Sequence, residues 1–214
     1  MLPACLWYDF TMRSGVDNTK MVNSKYSMAF TTCSLLNSES VTVAELFLKK
    51  KDWKEVSKIA TEENILQYRT VSSLKRTLSE IVSRLKLLSD DAINLLVNGY
   101  REEQLQILWL AVCLRYPFIY EFSIEVIREK YRCMQYKIEQ FDFDAFFNSK
   151  INYHESLEEI TETTRKKLKQ VLFKMMKESE IVDKDDNVQA ALLSDRVINV
   201  ISNMKHEYLM VYPN

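Results

Sequence analysis

The residues best equipped for chemistry are cations and hydroxyls gathered at the front of two long helical patterns. Residues 163–177 hold six basic side chains, Arg165, Lys166, Lys167, Lys169, Lys174 and Lys177, and no acid. Glu158, Glu159 and Glu162 precede this run, and Glu178, Glu180, Asp183, Asp185 and Asp186 follow it. At helical spacing Lys166, Gln170 and Lys177 oppose Leu168, Leu172 and Met175, with Lys167 and Lys174 beside them. A milder version stands within residues 69–88, where Arg69, Lys75, Arg76, Arg84 and Lys86 meet one acid, Glu80, beside Ser72 and Ser73.

Fronts of this kind suit a polyanion. The first turn of a helix offers free N–H groups and the positive end of its dipole to phosphate. Ser72 and Ser73 can donate to phosphate, and Arg76 has the reach for a phosphate or a guanine edge. Each basic helix follows a shorter one: 52–61 precedes TVSSLKRTLSEIVSRL, and 156–161 precedes TTRKKLKQVLFKMMK. A recognition helix in a helix-turn-helix unit has this composition, with its apolar stripe on the preceding helix and its N-terminal residues in the major groove. Lysines outnumber arginines at the richer site, and lysine reads bases less specifically than bidentate arginine, so weak sequence preference is expected. The bland alternative for either site is a solvated lysine face. Its duplication in one chain favours double-stranded DNA as the partner. RNA, and an adaptor role in which the basic faces meet acidic protein surfaces, are the rivals.

Catalysis finds little support in the sequence. His154 and His206 are its only histidines, and two glycines rule out a glycine-rich phosphate loop. Asp142, Asp144, His154 and Glu155 gather in a way that suggests a metal-dependent nuclease, but acids at helix starts explain them better. Cys5, Cys33, Cys113 and Cys133 lie far apart without a CxxC pair, so neither a disulfide framework nor a zinc site is indicated, and a reduced cytoplasm is the natural compartment. The expectation is a binding protein without catalytic residues, metal or cofactor.

The elements that position the two fronts must pack on something, and Leu105–Leu114, LQILWLAVCL, is the obvious centre. Nine of its ten residues are apolar, with Gln106 the exception. At 1.5 Å per residue it covers about 15 Å, half of a bilayer's hydrocarbon layer. A central buried helix is therefore predicted, not a membrane span. Two glycines, three prolines and a net charge of −1 point to an all-α protein with no general pull on nucleic acid. Around the centre the spacing predicts helices from Ser38 or Ser40 to Lys50, from Asp52 onward, from Thr70 to Leu88, and from Ser89 to Gly99. Further helices are expected over 118–131, Leu157–Glu162, Thr163–Glu178 and Asp195–Lys205, with a short aromatic element at Phe141–Phe147 and a small hairpin wing at 181–189. The blocks are then a leader (1–25), a first helix-turn-helix region (26–88), a central core (89–150) and a C-terminal, winged region (151–214). No sustained exposed heptad appears, so a monomer is expected.

From Tyr26 onward the sequence resembles the BrxA family of bacteriophage-exclusion (BREX) defence systems. The blocks SLLNSESVTVAELFLKKKDW (34–53), EENILQYRTVSSLKR (62–76), EEQLQILWLAVCLRYPFIYEFSIEVIREK (102–130), FDAFFNSK (143–150) and TRKKLKQVLFKMMKES (164–179) carry the likeness. It is specific through its extent and order, since no block is a catalytic signature. The resemblance implies a small, cytoplasmic, all-helical accessory protein that binds duplex DNA through two helix-turn-helix units, with other BREX subunits as partners and no enzymatic role. It also implies that Arg69, Ser72, Ser73, Lys75 and Arg76, then Arg165, Lys166, Lys167 and Lys169, sit on the recognition helices. The family has been compared with an RNA-binding antitermination factor and labelled an inner-membrane protein; the length of 105–114 speaks against the second.

Overall fold

In the computed structural model the chain is all-α, and residues 26–31 and 33–214 are described. The leader expected over residues 1–25 lies outside them. Helix α1 (Asn37–Lys50) packs on α2 (Trp53–Glu62) and α3 (Val71–Leu85), and α2 also packs on α3. Next come α4 (Asp90–Asn98), α5 (Arg101–Arg115) and α6 (Pro117–Arg132). Then follow α7 (Gln140–Ile151), the single turn α8 (Glu155–Glu158), α9 (Glu162–Glu178) and α10 (Asp195–Lys205), before a 3-10 turn at His206–Val211.

Local chemistry sets most of these boundaries. Asp52, Thr70 and Ser89 each stand in extended backbone and accept an N–H of the first turn, from Lys54, Ser73 and Ala92. Ser194 does the same for α10, whose limits match the sequence expectation. Two starts shift. Helix α1 begins at Asn37, before Ser38 or Ser40, because Leu36 turns into a left-handed conformation at φ 61°. Helix α9 is capped by Thr161, whose side chain accepts from the Thr164 N–H. Gly99 ends α4 for a reason other than a left-handed turn: its φ is −81°, and a Cβ there would meet the Leu95 carbonyl oxygen at 2.4 Å.

Helix α5 is the centre. Leu105 and Ile107–Cys113 are buried, and burying each large aliphatic or aromatic side chain stabilises the fold by about 1.5–3 kcal/mol. Trp109 donates Nε1–H to the Val211 carbonyl at 3.2 Å, and the Tyr212 hydroxyl donates to the Gln106 carbonyl at 2.7 Å, so the C-terminal tail closes over α5. Gln106 itself reaches the Leu192 carbonyl at 3.2 Å. Among the described residues no single helix is long and apolar enough to cross a bilayer; α5 and α6 reach that length and composition only together, bent by 118°.

Around the C-terminal unit the chain forms small antiparallel pairings rather than a named sheet. Val182 pairs with Val188, the expected hairpin, and Lys137 pairs with Asn187, a third segment absent from the sequence reading. The aromatic element at 141–147 belongs to α7, and the short helix expected at Leu157–Glu162 is the earlier turn Glu155–Glu158.

Candidate nucleic-acid interface

The first front is held by the loop 63–70. Asn64 closes it by donating to the Tyr68 carbonyl and accepting from the Tyr68 N–H, at 3.0 and 3.1 Å. Thr70 then caps α3. On α3 the apolar stripe Leu74, Leu78, Ile81 and Leu85 is buried. Arg69, Ser72, Ser73, Lys75, Arg76 and Ser79 are exposed. Arg69, Lys75 and Arg76 have no ion-pair partner among the described residues. The Ser73 N–H is already satisfied by Thr70, so the front works through side chains more than through the helix end.

Arg84, one of the basic residues counted at this front, is not part of it. It is 1 % exposed and donates Nε–H to Glu80 at 2.7 Å and Nη1–H to the Ser34 carbonyl at 2.8 Å. The Tyr116 hydroxyl donates to the same Glu80 carboxylate. Burial, then that bond, pushes the Tyr116 phenol well above its usual range. This cation is core.

The second front divides in two. Asp144 on α7 takes Arg165 at 3.2 Å and Lys169 at 2.7 Å, leaving those side chains 18 % and 17 % exposed. Arg165 also lies 4.5 Å from the Phe147 ring centroid. These two cations hold α9 against α7 and do not face solvent as expected. Lys166, Lys167, Gln170, Lys174 and Lys177 remain on the exposed face. Lys166 is 3.9 Å from Glu162 with its side chain 72 % exposed, and Lys174 is 3.5 Å from Glu178. Exposed pairs of this kind contribute about 0–1 kcal/mol, so they release their cation readily to phosphate. Lys167 donates to Gln170 at 3.1 Å and has no carboxylate partner among the described residues. Lys177 pairs with Asp186 of the hairpin at 3.0 Å. The hairpin tip, Asp183, Lys184, Asp185 and Asp186, is acidic on balance and suits phosphate poorly.

The residues weighed as a nuclease centre go to separate partners. Asp142 takes Lys130 at 2.5 Å and the Glu139 N–H at 2.6 Å, Asp144 takes α9, and His154 stacks on Tyr26 at 3.7 Å. No group of three or more His, Cys, Asp or Glu side chains is arranged for a metal among the described residues.

Sequence reasoning missed one titratable cluster. The Tyr26 hydroxyl donates to Glu121 at 2.5 Å, and Lys150 meets Glu121 at 2.6 Å and Glu125 at 2.8 Å. Burial pushes the Glu125 carboxyl above its usual range and holds the His154 imidazole below its own. Burial also works against charging Lys150, but the bonds to the two glutamates outweigh it and raise its pKa. The cluster fastens the chain at Tyr26 to α6 and α7. The Glu121/Glu125 and Lys150/His154 spacings of four are visible in the sequence; their meeting is not.

Fold and surface thus define an all-helical protein that carries two exposed basic helix faces. The comparisons place it more narrowly: the BrxA family model matches residues 24–205, and the chain belongs to the BrxA family. The BREX protein BrxA of Escherichia coli O9:H4 (strain HS) is 28 % identical over 178 residues, 82 % of this chain and 84 % of that protein. The BREX protein BrxA of Bacillus cereus (strain H3081.97) is 31 % identical over 125 residues, covering 58 % of this chain and 62 % of that one. The fold is shared with an uncharacterized protein from Magnetospirillum magneticum, whose crystal structure aligns with a TM-score of 0.73 at 17 % identity over 88 % of this chain and 98 % of the other.

Proposed function

We propose that the protein is a non-enzymatic, double-stranded DNA-binding component of a BREX phage-defence system, working in the cytoplasm as a monomer beside other BREX subunits. Binding runs mainly through phosphate contacts from the outer faces of α3 and α9, used as the recognition helices of two helix-turn-helix units. The observation that carries this reading is the exposed group Arg69, Lys75 and Arg76 at the front of α3, uncompensated by any carboxylate among the described residues. Ser72 and Ser73 stand beside them as neutral donors. Lys166, Lys167, Gln170 and Lys174 supply the second contact.

Six cations stand free or weakly paired: Arg69, Lys75, Arg76, Lys166, Lys167 and Lys174. If each neutralises one phosphate, log affinity for duplex DNA falls with log salt at a slope of roughly −5. A fluorescence-anisotropy titration of a labelled duplex at several salt concentrations measures it. A slope near zero rules out phosphate-dominated binding, and stronger binding to structured RNA than to duplex DNA reassigns the polyanion.

A further inference from the structure

A groove of about 850 Å³ opens between α2, α3 and the C-terminal end of α5. Three cations line it, Lys75, Lys86 and Arg115, and no carboxylate does. Lys75 and Lys86 are exposed and without an ion-pair partner among the described residues. Arg115 is held in place, donating Nε–H to Ser83 at 3.1 Å with its guanidinium 5.3 Å from the Tyr116 ring centroid. Between the cations the lining is divided between aliphatic and hydroxyl side chains: Leu78 and Val82 are buried, Leu114 is half-buried and Leu87 stands 43 % exposed, with Ser57, Thr61, Ser79 and Ser83 among them.

The combination narrows the ligand. Inorganic phosphate can use the three cations and the hydroxyls of Ser57, Thr61, Ser79 and Ser83, but it leaves Leu87 and Leu114 uncovered. Single-stranded nucleic acid binds through aromatic side chains on which its bases stack, and none lines the groove. A duplex is a rigid cylinder that lies across surfaces and does not fill a cleft between two helices. A short peptide with aliphatic side chains set between carboxylates satisfies both halves of the surface. Its apolar side chains cover Leu87 and Leu114 above the buried Leu78 and Val82, and its carboxylates meet the three cations and the hydroxyls beside them. The volume is of the size that takes a few side chains rather than a domain.

We propose that this groove binds a short acidic segment of a partner protein, anchored by aliphatic side chains between its carboxylates. Lys75 is shared with the DNA face of α3, whereas Lys86, counted with that front in the sequence, stands past the end of α3 and outside the six cations assigned to the duplex, as does Leu87, so the two surfaces are separable by mutation. The site stands whether or not the α3 front binds DNA.

The test uses the full chain and labelled synthetic peptides: one in which Leu and Glu are interleaved, one with each Leu replaced by Ser, and one with each Glu replaced by Lys. Pyrophosphate and a single-stranded oligonucleotide serve as competitors, and duplex binding is measured in parallel. The Leu/Glu peptide binds, the other two bind at least about tenfold more weakly, and Lys86→Glu or Leu87→Asp each cost about tenfold while duplex affinity is kept. Both residues are exposed, and an unchanged thermal midpoint shows the variants folded. The proposal is overturned if the Leu/Glu peptide does not bind, if its binding ignores both substitutions, or if pyrophosphate or the oligonucleotide displaces it and is itself lost with Lys86. A chain that binds peptide but not duplex sinks the DNA reading alone; one that binds duplex but not peptide sinks this one alone.

Discussion

The two basic fronts differ in the opposite sense from their composition. The α9 front has six cations and no internal acid, yet Arg165 and Lys169 are committed to Asp144 and Lys177 to Asp186. The α3 front has fewer cations and an acid in its midst, yet that acid, Glu80, is turned inward onto Arg84 and Tyr116. Arg69, Lys75 and Arg76 are therefore left to solvent. What matters to a polyanion is uncommitted charge, and counting along the chain does not measure it.

The largest effect tests the arrangement that turns Glu80 inward. Arg84→Met leaves the half-buried Glu80 carboxylate with only the Tyr116 hydroxyl and the Ser34 carbonyl without its donor, and should cost about 2–3 kcal/mol, read by urea denaturation. A loss under about 1 kcal/mol means that the pair does not hold α3 in its orientation. Next comes duplex affinity. Reversing Lys75 and Arg76 together to Glu should weaken binding about a hundredfold in anisotropy titrations, and reversing Lys166 and Lys167 about tenfold, because only the first pair acts without competing carboxylates. Equal losses erase the ranking of the two fronts. Asp144→Asn sharpens it: freeing Arg165 and Lys169 should steepen the salt slope by up to about two while lowering stability by about 1 kcal/mol. An unchanged slope means α9 does not reach the duplex.

The smallest effect concerns pH. Burial holds the His154 imidazole below its ordinary 6.5, partly offset by the Glu121 carboxylate and reinforced by Lys150. The unfolded chain therefore takes up this proton first. Its contribution to stability is present above about pH 6.5 and is lost as pH falls through the lowered folded value. His154→Phe keeps a ring against Tyr26 and removes the titration, so the drop in thermal midpoint between pH 7 and 5 should shrink relative to the parent chain. An identical drop assigns the acid sensitivity elsewhere.

Much of the fold was legible because its signals are local. Asp52, Thr70, Ser89 and Pro117 mark helix starts through the next few residues alone, and the apolar run at 105–114, broken only by Gln106, reads as a buried helix at that length. The hairpin at 181–189 was visible in its pattern, but the segment that bridges to it at Lys137 was not, being 50 residues from Asn187. The sites were half legible. Exposure of Ser72, Ser73, Lys75 and Arg76 follows from their opposition to the Leu74–Leu85 stripe, whereas Arg84 breaks that logic through Glu80 and the Ser34 carbonyl.

From its sequence alone this protein's class, most of its helix boundaries and the existence of two cation-rich helices were determined, since each depends on periodicity and on neighbours within a turn or two. Which cations are free was decided only by the tertiary structure. An ion pair depends on distance in space, and Asp144 reaches Arg165 and Lys169 across 21 and 25 residues of chain that no helical period connects.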